Sequence, residues 1–380
     1  LPYYWDGLNY IAPTIDRIYN GEINLRLLDS NRGPPLFMPF FIGFLFNIFG
    51  NSHIVANSII LFFSFLILYF TYLIGKELFD RRSGIIGSLL LMFTPIFFSY
   101  STMVFLDIPL TALIIISIYF SIKSKPIFYI LFSSLAIITK ELGIVVVIGV
   151  ILSKFIKKEK KNNLILYSSP LLVFFFVLLI NKLSFGQIFY PLNASVIHIF
   201  PIKNLFNFLI ILKILFFDQY RWILTSIFLI SFVNFKNFKN LIYYASSFLI
   251  VFILLYNFPI LTKFFLNYYP NIDIYFGLIR TFSLLFSLWF IILILNYKKI
   301  FKFLINLKYL ELIIPSFLII LILIFIIPVS ARYLLPVFPA IFLFYSIFIN
   351  KIFKEYRYFI LILIIIIFSL NYTGYRDTEG

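Results

Sequence analysis

Five charged residues in apolar surroundings are the first candidates for chemistry in this chain of 380 residues. They are Asp6, Asp107, the adjacent pair Lys140 and Glu141, and Arg332. A carboxylate can take a proton from a hydroxyl group, whereas an ammonium or guanidinium group can hold a phosphate. A set with both kinds of group suits chemistry on a phosphate-linked substrate if the fold brings its members together.

The two aspartates each have a structural and a functional interpretation. Asp6, in "YYWDGLNY", is either a solvated acid in an interfacial aromatic belt or a general base whose flanking rings, such as Trp5, stack on a sugar or an isoprenoid. Asp107, in "FLDIPL", is either a helix N-cap or a functional carboxylate, because an acid at bilayer depth is costly. For Asp107 both interpretations can hold together.

The two segments that contain the cations also each have a structural and a functional interpretation. Lys140 and Glu141, in "IITKELGIV", either form an ion pair that closes a helical hairpin or act on a phosphate, with Glu141 orienting Lys140. Arg332, in "PVSARYLLPVFPA", either snorkels to the interface or holds a phosphate bidentately beside Tyr333. The two prolines that follow Tyr333 are predicted to kink this helix.

The composition indicates an all-α polytopic membrane protein. Hydrophobic residues make up 62% of the chain, its mean hydropathy is +1.05, and the absence of cysteine excludes disulfides and thiol chemistry. Apolar runs near the length of a membrane span recur along the chain. The predicted spans are 54–75, 84–103, 107–122, 126–139, 141–156, 164–181, 219–234, 241–258, 274–296, 310–328, 333–350 and 358–372.

The basic residues predict which loops face the cytoplasm. The net charge of +16 follows the positive-inside rule rather than indicating a nucleic-acid partner. If residues 1–50 lie outside and the apolar segment 204–217 is interfacial or re-entrant, every basic cluster is cytoplasmic. All five candidate residues of the opening set then share the outer boundary of the membrane.

The predicted domains are a first outer loop at 1–53 with short interfacial helices, a transmembrane domain at 54–372, and an outer tail at 373–380. The segment "IAPTIDRIYNGEI" is amphipathic and predicts one of the interfacial helices. Because the chain begins with Leu1 rather than Met, we expect that a preceding transmembrane helix is missing.

Taken in order, several segments resemble the PMT-like glycosyltransferases of the GT-C superfamily. This group includes the dolichyl-phosphate-mannose protein mannosyltransferases and the lipid A aminoarabinose transferase. The resemblance departs from the family pattern at Gly7, where a second acid is frequent, and at Gly33, where the family has His. Besides Asp6, the segments that carry it are "GPPLFMPFFIGFLFNIFG", "KELFDRRSGIIGSLLLMFTPIFFSYSTMVFLDIPL", "AIITKELGI" and "ARYLLPVFPAIFLF".

The resemblance implies a GT-C-type bundle of about 12–13 transmembrane helices in the cell membrane, with its active site on the extracytoplasmic face. It implies inverting transfer of a hexose or pentose from a polyprenyl-phosphate donor to a hydroxyl of a protein, lipid or glycan. Asp6 would be the base and Asp107 would position a substrate or share that role. Lys140 and Arg332 would bind the donor phosphate, supported by Glu141, Tyr333 and Trp5.

The same residues leave other functions and components open. No cofactor is implied with certainty, although a divalent cation is left open, and membrane lipids are the expected surroundings. A transporter or flippase of lipid-linked saccharides is the alternative function, and a non-catalytic membrane subunit is a second one. An enzyme would release free polyprenyl phosphate from its donor, whereas the other two would not.

Overall fold

A computed structural model describes residues 11–21, 37–185, 201–219, 221–233, 272–325, 330–353 and 355–370. Within these ranges every regular element is helical. The α-helices are α1 (Ala12–Tyr19), α2 (Phe37–Phe49), α3 (His53–Leu78), α4 (Arg81–Met92), α5 (Pro95–Ser101), α6 (Asp107–Ile122), α7 (Pro126–Thr139), α8 (Ile144–Ile156), α9 (Lys161–Ser168), α10 (Pro170–Phe185), α11 (Pro201–Phe216), α12 (Arg221–Ile230), α13 (Ile272–Leu304), α14 (Leu310–Leu323), α15 (Phe338–Ile352) and α16 (Arg357–Leu370). Short 3-10 helices lie at Glu141–Gly143, Leu307–Tyr309 and Ala331–Leu334.

Two stretches of the described residues, His53–Leu78 and Lys161–Ile180, are long and apolar enough to cross a membrane, or up to four if each bent helix pair counts as one span. Six further apolar helices have 10–17 residues, fewer than the roughly 20 needed to cross the hydrocarbon core without tilt. The predicted number of spans therefore stays a prediction. The predicted span 241–258 lies outside the described residues.

The predicted span 84–103 is not one continuous helix. α4 and α5 meet at a bend of 70°, and Thr94 between them has an extended backbone. Pro95 explains the break, because a proline disfavours helical geometry in the residue before it and supplies no amide hydrogen. Hydropathy alone missed this bend because the residues on both sides of it are apolar.

The predicted short helix near the start of the chain is present as α1. Its Ile15 and Ile18 are buried, and Ile18 faces Gly43 of α2 so closely that a Cβ on Gly43 would lie 2.9 Å from Ile18 Cγ2. At the polar side of α1, Asn51 donates a hydrogen bond of 3.1 Å to Asp16. The interfacial location of this helix and the domain boundaries at 53 and 373 stay predictions.

The chain divides into two compact units, one formed by Leu1–Trp222 with Leu307–Gly380 and the other by Ile223–Asn306. In the smaller unit, the Trp289 indole donates a hydrogen bond of 3.1 Å to the Ser226 hydroxyl. In the larger unit, α6 packs against α3 and α7 and is buried at thirteen of its sixteen positions. Because α6 is enclosed along its length, its two ends are held firmly in place.

Candidate functional site

Asp107 is the centre of a charge cluster in the larger unit. It is the first residue of α6, follows the N-cap residue Leu106, and is buried. The predicted N-cap role is wrong, because no side-chain cap bond is made at this end of α6. The carboxylate instead faces two cations, Lys140 and Arg332. An acid in the first helical turn is also favoured by the helix dipole.

Lys140 reaches Asp107 from the turn between α7 and α8. The turn has an extended residue at Lys140, followed by the 3-10 helix Glu141–Gly143. Gly143 is required there, since a Cβ at this position would lie 2.4 Å from the Ala136 carbonyl. Lys140 Nζ lies 2.6 Å from Asp107 Oδ1. Although burial lowers the pKa of Lys140, the adjacent carboxylate of Asp107 outweighs it, so the pKa of Lys140 is raised and the ammonium stays charged.

Arg332 reaches Asp107 from the 3-10 helix Ala331–Leu334 that precedes α15. Its Nε lies 3.8 Å from Asp107 Oδ2. The predicted proline kink within a helix is wrong: Pro336 lies before α15, and Pro339 lies in its first turn, where a missing amide hydrogen costs nothing. The two prolines therefore lie where the turn that carries Arg332 passes into α15.

Two aromatic rings hold the cations. The Arg332 guanidinium carbon lies 5.0 Å from the centre of the Phe105 ring and 5.3 Å from that of Tyr333, while Lys140 Nζ lies 4.6 Å from the centre of the Tyr333 ring. All three distances suit attraction between a cation and a ring face. Phe105 is itself buried and packs edge-to-face on Tyr100. We call Asp107, Lys140, Arg332, Phe105 and Tyr333 the Asp107 cluster.

The Asp107 cluster carries one acid and two cations, so its formal charge is +1. The carboxylate side chain is only 5% exposed, whereas the side chains of Lys140 and Arg332 are 25% and 15% exposed. The side chains of the two cations are therefore more exposed than that of the acid. A phosphate is the kind of anion that a lysine and an arginine hold together.

The structure brings four of the seven predicted site residues into direct contact. Asp107, Lys140, Arg332 and Tyr333 converge although they come from distant parts of the sequence. Glu141 is the next residue after Lys140 and begins the 3-10 helix, and its predicted orienting role stays a prediction. Asp6 and Trp5 lie outside the described residues.

Sequence reasoning missed Phe105. The signal that identifies it is an aromatic residue two positions before a buried acid in "MVFLD", but a phenylalanine in an apolar segment is too common to single out. As for a metal, no group of three or more His, Cys, Asp or Glu side chains in the part of the chain that the structure describes could hold an ion.

The predicted fold class, an all-α membrane protein, is confirmed, and the fold is similar to that of a solved protein, ArnT. The apo structure of ArnT from Cupriavidus metallidurans matches with a TM-score of 0.52 and 11% sequence identity over 90% of this chain and 54% of that chain. ArnT of the same organism bound to undecaprenyl phosphate matches with a TM-score of 0.49 and 12% identity, over 90% of this chain and 55% of that one. The chain thus spans about half the length of ArnT.

A sequence family adds to this likeness. The family model described as dolichyl-phosphate-mannose-protein mannosyltransferase matches residues 33–184, a range that contains Asp107 and Lys140. No curated protein matches the chain in sequence. The predicted resemblance to the PMT-like glycosyltransferases is confirmed by the family match together with the fold.

Proposed function

We propose that this protein is a membrane glycosyltransferase that moves a sugar from a polyprenyl-phosphate donor to an acceptor hydroxyl at the extracytoplasmic face. The observation that carries the proposal is the convergence of Lys140 and Arg332 on Asp107, with a net positive charge and partly exposed cations. The family description, which names a dolichyl-phosphate-linked sugar, supports a donor of this chemical class.

The cations suit the charge change of the reaction. A polyprenyl-phosphate sugar is a phosphodiester with one negative charge. When the bond between the anomeric carbon and the phosphate oxygen breaks, its electron pair stays on that oxygen and the leaving lipid phosphate gains a second charge. Lys140 and Arg332 would stabilise this charge most strongly in the transition state, where fixed charges in a water-poor site are most effective.

The reaction also requires removal of a proton from the acceptor. In the proposed mechanism the acceptor oxygen attacks the anomeric carbon from the face opposite the phosphate, which inverts the anomeric centre. Its proton passes to the carboxylate of Asp6, a role proposed from the sequence alone. The phosphate leaves readily as an anion, so no paired general acid is needed, in contrast to a glycosidase.

Asp107 has a different part in this proposal. Its carboxylate is in contact with Lys140 and is nearly enclosed, so it is better placed to fix the cations than to take a proton from solvent. A fixed ammonium and guanidinium need no rearrangement when the donor binds, which is the source of their catalytic effect. We therefore propose that the main role of Asp107 is to position the donor by fixing the two cations that bind its phosphate.

To test the proposal, the purified protein is supplied with a polyprenyl-phosphate sugar that carries a label in the sugar. We expect transfer of the label to an acceptor hydroxyl and release of free polyprenyl phosphate. Label that stays on the lipid contradicts the proposal, and unaltered donor that crosses a vesicle membrane indicates the transporter instead.

The role of Asp6 has its own test. Asp6→Asn is expected to lower transfer by about 10²–10⁴-fold, the usual effect of losing a general base, without changing the melting temperature. Asp16→Asn is the matched control, because Asp16 is an exposed acid of the same loop and should be replaceable without loss of transfer. If the two variants transfer sugar at the same rate, Asp6 is not the base.

A further inference from the structure

A second charge cluster joins the opposite ends of the helices that position the Asp107 cluster. Its central residue is Glu311 in the first turn of α14, whose side chain is 1% exposed. The Glu311 carboxylate accepts a hydrogen bond from the hydroxyl of Ser121 in the last turn of α6. It also contacts Lys157 Nζ, just after α8, at 2.5 Å and Lys154 Nζ at 3.2 Å.

The surroundings of Glu311 tie α6, α8 and α14 to one another. Lys154 Nζ donates to the Ser121 carbonyl at 3.2 Å and lies 3.5 Å from Glu159, and the Ser153 hydroxyl lies 3.0 Å from the Leu310 carbonyl. We call Ser121, Lys154, Lys157, Glu159 and Glu311 the Glu311 cluster. It has two acids and two lysines, so its formal charges cancel.

Tight packing reinforces this junction. Gly149 of α8 lies against Pro315 of α14 so closely that a Cβ on Gly149 would be 2.7 Å from Pro315 Cα. The two helices therefore cannot slide past each other without losing either this contact or the ion pairs of Glu311. The junction fixes both the separation and the axial position of α8 relative to α14.

The same helices lead to the residues of the Asp107 cluster. Asp107 begins α6, and Lys140 lies in the turn that leads through Glu141–Gly143 into α8. Arg332 follows α14 in the sequence, in the 3-10 helix Ala331–Leu334. The distance along α6 from Ser121 to Asp107 is about 21 Å at 1.5 Å per residue, and a buried helix transmits an axial shift over that length.

We infer that Glu311 and Ser121 are positioning residues: they fix the axial position of α6 against α8 and thereby the contact between Asp107 and Lys140. The consequence for sugar transfer rests on the proposed function. The consequence for the Asp107–Lys140 contact does not, because it concerns only the distance between two side chains.

Ser121→Ala tests this inference without leaving a buried charge unpaired, since Lys154 and Lys157 still neutralise Glu311. The matched control is Ser117→Ala on the same helix, because the Ser117 hydroxyl is also buried but donates to the Leu113 carbonyl within α6, at 2.7 Å. We expect sugar transfer to fall about tenfold in Ser121→Ala, part of the roughly 10²-fold cost of a 1 Å misplacement, and to be unchanged in the control.

A second measurement reports the contact without turnover. A small hydrophobic carbodiimide reacts with enclosed carboxylates and joins them to an amine in contact, so the yield of the amide between Asp107 and Lys140, measured by mass spectrometry of a digest, should fall in Ser121→Ala alone. The melting temperatures of both variants should agree with that of the unaltered protein.

The two readouts separate this inference from the proposed function. If the unaltered protein transfers no sugar, the proposed function fails, and the coupling yield still decides the inference. Equal coupling yields in the two serine variants overturn it. A loss of transfer in Ser121→Ala that is matched by a loss of thermal stability also overturns the inference. Unaltered transfer in Ser121→Ala, when the parent protein is active, overturns it as well.

Discussion

The Asp107 cluster and the Glu311 cluster are built from the same kinds of residue but differ in charge balance and in the exposure of the ion pair at their centre. The first has two cations around one acid, and its cations are partly exposed. The second has two lysines and two acids: the side chains of Lys154 and Glu311 are 3% and 1% exposed, whereas those of Lys157 and Glu159 are 23% and 28% exposed. Both connect helices that are distant in sequence.

On the proposed function, this difference separates a site that would bind the donor phosphate from a junction that ties helices together. A cluster with more cations than acids attracts an anion, whereas in the Glu311 cluster two lysines balance two acids and the central pair of Lys154 and Glu311 is enclosed. Burial makes the second cluster costly to disturb, because removal of one partner strands a charge away from water. We therefore expect mutations in the first cluster to affect activity and those in the second to affect stability or geometry.

Removing the ammonium of Lys140 should produce the largest effect on activity. Lys140→Met is expected to lower sugar transfer by about 10²–10³-fold, the usual cost of deleting one group that stabilises transition-state charge. The melting temperature should fall as well, because the buried Asp107 carboxylate loses the cation at 2.6 Å and keeps Arg332 at 3.8 Å. Transfer of a labelled sugar and thermal unfolding of the purified protein measure the two quantities.

Lys123→Met is the control for Lys140→Met. Lys123 pairs with Glu77 at 2.5 Å, but both side chains are more than one third exposed, and such surface pairs contribute little. If the two lysine variants transfer sugar equally well, the distinction between the Asp107 cluster and an ordinary ion pair is lost.

Removing the charge of Glu311 should produce the largest effect on stability. Glu311→Gln takes away the main counter-charge of the buried Lys154, and breaking a buried pair in this way typically costs about 3–5 kcal/mol. We expect a corresponding fall in the free energy of unfolding, measured by denaturant titration in detergent. The double variant Lys154→Met with Glu311→Leu should recover most of the loss, because neither buried charge remains.

Glu77→Gln is the matched control for Glu311→Gln, since it removes an exposed partner of the same chemistry. An equal change in unfolding free energy for these two variants would show that burial does not distinguish the clusters. A double variant less stable than Glu311→Gln alone would show that the Glu311 cluster is held by packing rather than by its charges.

Much of the fold could be predicted from hydropathy, because apolar runs end where prolines and charges begin. The predicted spans 107–122 and 126–139 coincide with helices α6 and α7. The bend between α4 and α5 could not be predicted in this way, since hydropathy carries no information on backbone direction; Pro95 was its only visible signal.

The site was predicted in part for a related reason. The predicted orientation of the loops placed Asp107, Lys140 and Arg332 at the outer boundary of the membrane, and the structure brings these three residues together. The partners could not be derived, because the sequence neighbour of Lys140 is Glu141, while the carboxylate that contacts it is 33 residues away. Partner choice depends on the packing of α6 against α7, which no local pattern specifies.

The Glu311 cluster was missed for a different reason. Lys154 belongs to the basic residues near 154–161 that the positive-inside rule predicts to face the cytoplasm, which gives no reason to expect that it is buried. The signal that could have identified the cluster is the single acid in the apolar segment "YLELIIP", because a lone intramembrane acid needs a partner. The partners on α6 and α8 emerge only from the tertiary arrangement.

The smallest expected effect concerns the aromatic support of the Asp107 cluster. In Phe105→Leu the Arg332 guanidinium loses a ring face at 5.0 Å, an attraction worth about 0.5–2 kcal/mol. The corresponding rise in KM for the labelled donor is about 2- to 30-fold, with kcat nearly unchanged because, on the proposed function, Lys140 would still face the leaving phosphate. Phe97→Leu on α5, a buried phenylalanine in a neighbouring helix, is the control for the volume change. A KM equal to that of the control would mean that the Phe105 ring only fills space beside Arg332.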